Sequence, residues 1–330
     1  MVMKMSNKFK FIIMFVLLMI SLVLGILFGG AKLSFNEVIQ GLFVIDNSVS
    51  NVIIYNIRLP RILACIIAGT GLSLSGLILQ SVTNNNLASP NIIGVNAGAG
   101  LFVIILLYFM PKALYLLPIV AFIGAFLTTL LIIFISKKVG VTSVSIILSG
   151  IAITTLINAI ISFVTMLDGD VLISYNYFSL GGVNGISVNQ LIIPSVLIII
   201  CYCITFILSN KLDILMLGDD ISISLGINVK KIKFILLMIA SLSSASVVSF
   251  AGLLGFIGLV VPHVCRKLVG NKTKNILISS VFIGSIIMIL GDLLGRTLFA
   301  PSEIPVGIVM ALIGAPFFLF LLLRGKYARV

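Results

Sequence analysis

FILLMIASLSSASVVSFAGLLGFIGLVVP, residues 234–262, runs for 29 residues without a charged side chain. A membrane-crossing helix needs ~20 predominantly apolar residues, so this stretch is long for one crossing and short for two complete ones. Its second half carries Gly252, Gly255 and Gly258. Whether it crosses once or twice decides on which side of the membrane everything after it lies.

Charge decides between the two. Six spans are expected before the stretch, at 11–30, 62–82, 92–110, 113–135, 141–166 and 190–208, and two after it, at 275–291 and 305–323. If the N-terminus is inside and the stretch divides into 234–250 and a short 252–266, the chain has about ten spans and both termini are cytoplasmic. Of the 21 Lys and Arg, 16 then fall inside and 5 outside: Lys32, Arg58, Arg61, Lys112 and Arg296. A single crossing would put seven of the eight basic residues from Arg266 onward outside. Cytoplasmic loops carry the excess of Lys and Arg, so the double crossing is favoured. Short or broken helices are tolerated at membrane depth where protein encloses them.

Composition agrees. The chain has 330 residues, 60% of them hydrophobic and 9% charged, against roughly 25% charged in soluble domains. This is an all-α polytopic membrane protein; the alternating ~10-residue strands of a barrel are absent. The net charge of +12 follows from topology, and nucleic-acid binding is not needed to explain it. The first apolar run reads as an uncleaved helix, since it exceeds the usual 7 to 15 residues of a signal-peptide core.

Several chemistries are disfavoured. Cys201 and Cys203 with the lone His263 raise a metal site, but cysteines in an apolar run more often pack as small hydrophobes. No metal, cofactor or disulfide framework is expected. No G-x-x-x-x-G-K-[ST] occurs, so the chain lacks a P-loop, and no nucleophile–base pair suggests an enzyme. Ionisable groups within the predicted spans, the mark of ion-coupled carriers, are also missing. A stand-alone secondary transporter or channel for a small solute remains the alternative to a subunit driven by a separate energy source.

Five polar stretches stand out. RLPR (58–61) and GDLLGRTLFAPSEIPVG (291–307) lie outside and hold all three outside arginines. Interfacial anchoring and docking of an acidic partner are both open for them, and Asp292 and Arg296 form an i,i+4 pair if helical. NNNLASPN (84–91) reads as a turn. GDDISISLGI (218–227) places Asp219 and Asp220 at the start of a short helix, where carboxylates suit the dipole. KKVGVTS (137–143) ends in Thr142 and Ser143, which suit a cytoplasmic gate or a simple helix N-cap. Residues 73–95 and 249–270 share a small-Gly, apolar, then polar pattern and enter from opposite sides, as an inverted internal repeat would.

RLPR, then SGLILQSVTNNNLASPNIIGVNAGAG (75–100), LGDDISISLGI (217–227), GLLGFIGLVVPHVCR (252–266) and GDLLGRTLFAPSEIPVGIVMALIGAPFFLFLL (291–322) occur in one order. Together they resemble the permease family of ABC importers for iron–siderophores, haem and cobalamin. The resemblance covers nearly all of the chain from about residue 50. One departure is Asn86, where relatives usually carry Pro. The resemblance implies the type II ABC importer permease architecture in a bacterial inner membrane. It also implies a second permease subunit (an identical copy or a paralogue), two cytoplasmic ATPases, an extracytoplasmic substrate-binding protein and a metal-chelate substrate. On that reading Gly218, Asp219, Asp220, Ile221, Ser222, Leu225 and Gly226, within a cytoplasmic loop at 211–233, couple the chain to the ATPase. Arg58, Arg61 and Arg296, with Glu303, dock the binding protein, the arginines pairing with a glutamate on each of its lobes.

Overall fold

The uncharged run at 234–262 is broken in its middle. A helix carries it to Ala251, Gly252 follows at φ +67° and Phe256 at φ +63°, and a new helix starts at Ile257. Glycine enters the left-handed region without steric cost, and Phe256 takes it up as the N-cap of the second helix.

The computed structural model describes residues 6–31, 33–44, 48–139 and 143–326. Its helices are α1 (Asn7–Leu27), α2 (Phe35–Phe43), α3 (Val49–Ile53), α4 (Leu59–Thr83), α5 (Val95–Phe109), α6 (Leu117–Val139), α7 (Ser143–Leu167), α8 (Gly169–Leu180), α9 (Val188–Ile207), α10 (Ser209–Leu215), α11 (Asp219–Ser224), α12 (Val229–Ala251), α13 (Ile257–Val269), α14 (Thr273–Thr297) and α15 (Val306–Lys326). A π-helical turn, Ile54–Arg58, joins α3 to α4. Among the described residues seven helices are long and apolar enough to cross a membrane: α1, the continuous Val49–Thr83 run, α6, α7, α9, α12 and α14. Val95–Phe109 and Val306–Phe320 are shorter apolar helices.

Three boundaries differ from expectation. The 211–233 stretch is not an open loop: α10 and α11 lie in it, and α12 already begins at Val229, so Lys230, Lys231 and Lys233 belong to that helix. α14 runs on to Thr297 and takes Asp292 and Arg296 into its last turns. The expected 113–135 span starts as α6 at Leu117. In the first two cases charged residues sit at a helix end, where hydropathy alone opens a span too late or closes it too early; in the third the apolar residues before Leu117 form a separate short turn at Leu114–Leu116.

α4 and α12 form the centre. In them 78% and 72% of the apolar stretch is buried, against 17% in α1 and 28% in α7 and α9. α4 packs against α12, α13 and α14. Lipid offers no hydrophobic drive for helix pairing, so close backbone approach and hydroxyl bonds supply it. A Cβ placed on Gly284 of α14 would stand 2.5 Å from the Gly69 carbonyl oxygen of α4, so only glycine allows this crossing. Ser75 donates to the Ala240 carbonyl (2.8 Å) and Ser243 to that of Gly71 (2.9 Å), tying α4 to α12.

Candidate functional site

At one end of the bundle five charged side chains converge. Arg61 in α4 donates through Nε to both carboxylate oxygens of Asp292 in α14, at 2.8 and 2.9 Å. Its Nη1 reaches Glu303 Oε2 at 2.7 Å and Asn184 Oδ1 at 3.3 Å. Arg296 lies one turn beyond Asp292 at an ion-pair distance of 3.5 Å and donates Nη2 to the Gly25 carbonyl of α1 at 2.7 Å. Arg58 closes the end of α1, donating to the carbonyls of Ile26, Leu27 (3.0 Å) and Ala31 (2.7 Å).

Interfacial anchoring or docking of an acidic partner, the two readings open for the arginines, would leave them exposed. Instead Arg58, Arg61 and Arg296 are 2%, 4% and 2% exposed. Arg61, Asp292 and Arg296 are therefore buried in the turns by which α4 and α14 extend beyond the predicted spans 62–82 and 275–291. The i,i+4 relation of Asp292 and Arg296 is present, but its main partner, Arg61, comes from another helix. Glu303 alone is partly open, its side chain 28% exposed. It shares with Arg61 a cavity of about 360 Å³ whose wall includes Gly181, Asn184, Gly252 and Pro305. Backbone bonds stitch that wall together: Gly182 to Ala251 (2.8 Å), Gly307 to Gly181 (3.0 Å) and Ile304 to Gly295 (2.9 Å).

At the other end α10 and α11 form a short elbow held to three central helices. Asp213 Oδ1 accepts from the Thr273 backbone N–H (2.9 Å) and hydroxyl (2.5 Å), capping α14. Asn84, in the left-handed region after α4, donates to the Leu215 carbonyl at 3.2 Å. Lys233 of α12 donates to Asp219 Oδ2 at 2.7 Å, its own side chain only 3% exposed. Inside the elbow Ser222 bonds the carbonyls of Ile214 (3.1 Å) and Gly218 (2.7 Å). Gly226, at φ +78°, turns the chain toward α12.

The elbow presents an apolar patch outward, beside the exposed Lys211, Asp220 and Ser224. Ile221, Ile223 and Leu225 are 49%, 61% and 58% exposed, while Ser222 faces in. The expected residues 218–226 are thus brought together on one rigid unit, and Asp220 begins the helix beside Asp219. Asp213, Asn84 and Lys233 also belong to it. No local signal in the sequence pointed to the first two; a lysine entering an apolar run was the only hint of the third. Thr142 lies outside the described residues, and Ser143 opens α7. No cluster of three or more His, Cys, Asp or Glu able to hold a metal occurs among the described residues.

A multi-helix membrane bundle with a braced elbow at one end and a buried ion-pair cluster at the other defines a polytopic membrane protein. The chain belongs to the FecCD transport family, whose model matches residues 17–324. It is similar to the Fe(3+)-citrate import system permease protein YfmE of Bacillus subtilis (strain 168), 39% identical over 94% of this chain and 93% of that one. The iron(3+)-hydroxamate import system permease protein FhuG of the same organism is 35% identical over 96% of each chain. A solved structure described as an inward-facing conformation of a metal-chelate type ABC transporter matches with a TM-score of 0.86 and 29% identity, over 96% of this chain and 99% of that one.

Proposed function

We propose that the chain is the membrane-spanning permease subunit of an ATP-driven importer, forming the pathway for a ferric-siderophore or related metal chelate. The observation that carries this reading is the elbow of α10 and α11. Its apolar residues project outward from a unit tied to α4, α12 and α14, so a push on it reaches the centre of the bundle. Family membership and the names of the relatives point the same way. The chain carries no P-loop of its own, so hydrolysis falls to separate ATPase subunits.

On this reading the chain crosses the membrane ten times with both termini cytoplasmic, α13 making the short eighth crossing. It pairs with a second permease subunit, with two ATPases under the elbows and a binding protein over the Arg61–Glu303 cavity. The internal inverted repeat is supported only by the 73–95 and 249–270 pattern. Docking through the arginines does not use an exposed rim, since all three are buried. Arg61 is the one that can change partners, exchanging Glu303 for a carboxylate of the binding protein, while Arg58 and Arg296 hold α1 in place. ATPase closure then biases a two-state shift by differential binding.

Uptake of radiolabelled ferric citrate and ferric hydroxamate tests the reading. Cells lacking the chain should regain uptake on its return only when the partner ATPase is hydrolysis-competent. Uptake by the chain alone in ATP-free proteoliposomes would establish the stand-alone carrier or channel instead.

A further inference from the structure

Between the last turn of α6 and the first turns of α12 lies a second cavity, of about 500 Å³. Lys137, Lys230 and Lys231 stand around it with Asn228, and Ile133, Phe234 and Leu237 form its floor. Ile133 and Leu237 are 3% and 0% exposed, so the floor belongs to the helix packing and not to a passing surface. The lysine Nζ of residue 137 sits 5.7 Å from the centre of the Phe234 ring, which holds one ammonium over the apolar base. No carboxylate lines the cavity. None of the three lysines forms an ion pair among the described residues, whereas Lys233 nearby is matched by Asp219. The remaining polar group, Asn228, is already engaged, its side-chain oxygen accepting from the Lys231 N–H at 3.1 Å.

Three cations over an apolar floor, at the point where two apolar helices leave the membrane, fit a ligand with a negative head and a hydrocarbon tail. A free anion would leave the floor wet, and a neutral lipid would leave three like charges facing one another. Basic cavities between membrane helices on the cytoplasmic side suit anionic lipid head groups, and the volume lies within the ~300–1,000 Å³ typical of ligand sites. We infer that this cavity binds the phosphate head of an anionic phospholipid from the cytoplasmic leaflet. α12 begins five residues after α11 ends, so the bound lipid steadies the helix against which the elbow is braced. The leaflet rests on the orientation proposed above; the cavity and its ligand class do not.

The test uses the full chain in nanodiscs of phosphatidylcholine alone or with phosphatidylglycerol, read by thermal unfolding and by native mass spectrometry of retained lipid. Each juxtamembrane lysine contributes about 1 kcal/mol to anionic-lipid binding, or about fivefold. K230Q should therefore lower phosphatidylglycerol affinity about fivefold, and K137Q/K230Q/K231Q on the order of a hundredfold. Stability in pure phosphatidylcholine should stay unchanged. Soluble glycerol phosphate should not reproduce the stabilisation of the wild type. Equal retention of phosphatidylglycerol by wild type and triple variant would overturn the inference, and full stabilisation by glycerol phosphate would make this a free-anion site. Should the triple variant not fold, the wild-type comparison of phosphatidylglycerol, phosphatidylcholine and glycerol phosphate still decides. Because no ATPase or substrate is present, failure here is separable from failure of the transport reading.

Discussion

Arg61 and Asp292 lie 231 residues apart in sequence and meet at 2.8 Å, both side chains about 95% buried. Asp292 also faces Arg296, so a single carboxylate balances two guanidiniums while a second, Glu303, shares the first. Removing one member of a buried pair strands the other and costs about 3–5 kcal/mol. D292N should therefore unfold at markedly lower temperature, by thermal denaturation in detergent, and R61Q likewise. The double variant R61Q/D292N should lose at least 1 kcal/mol less than the sum of the singles, because neighbours in one network are not additive. Additive losses would show that the two groups are stabilised independently.

The pair also shows what the sequence carried and what it did not. The break in residues 234–262 was legible, because three glycines and the sorting of lysines and arginines both required it. The start of α12 was not, since Lys230 and Lys231 read as loop until the helix is seen to begin at Val229. The elbow's residues 218–226 follow from the family resemblance as one segment. Its anchors do not, for Asp213 meets Thr273 across 60 residues and Asn84 meets Leu215 across 131. The burial of the arginines was missed for the same reason: a charge looks exposed until its partner on another helix is known.

Topology has its own check. In a background without the four native cysteines, single cysteines at Asn271 and Ser302 are both exposed in the fold. A membrane-impermeant thiol reagent added outside should label position 302 and miss position 271. Labelling of 271 from outside would mean that residues 234–262 cross the membrane only once.

The Asp219–Lys233 bond should be asymmetric. Asp219 is 42% exposed and can be hydrated, whereas Lys233 is 3% exposed. D219N leaves a buried ammonium without its carboxylate, while K233Q leaves a carboxylate that water can reach, so D219N should disturb the elbow more. Basal ATPase activity in the reconstituted complex should persist in both, with chelate transported per ATP falling severalfold in D219N. The swap D219K/K233D should recover part of it. Equal, unchanged stoichiometry in both single variants would show that the bond does not carry the coupling.

The outward apolar residues give an independent test of the same elbow. I221S/I223S removes apolar area exposed in the free chain, so the chain's own stability should change little. ATPase co-purification should drop at least tenfold: each isoleucine is about half exposed in the free chain, so burying the remainder is worth about half of the ~1.5–3 kcal/mol of full burial, or roughly 1.5–3 kcal/mol for the two together. Undiminished recovery of the ATPase would mean that the partner contacts the chain elsewhere.

Arg61 and Glu303 provide the last prediction. Arg61 stays anchored by Asp292, so Glu303 is the partner it can release, and Glu303 is the more open of the two. If a carboxylate of the binding protein takes that place, Glu303 is its competitor. E303Q should then speed capture of the loaded binding protein severalfold at low salt, and R61Q should slow it, because Glu303, the partly open member of the pair, competes for Arg61 during the encounter. Both effects should shrink as salt rises, with screening over about 8 Å at physiological ionic strength. R61Q also weakens the fold, so the informative comparison is E303Q, whose loss leaves the Arg61–Asp292 bond intact. Surface plasmon resonance with the chain in nanodiscs reads these rates directly. If E303Q and wild type capture the binding protein at the same rate in low and high salt, Arg61 does not change partners and the cluster serves only to hold α1, α4 and α14 together.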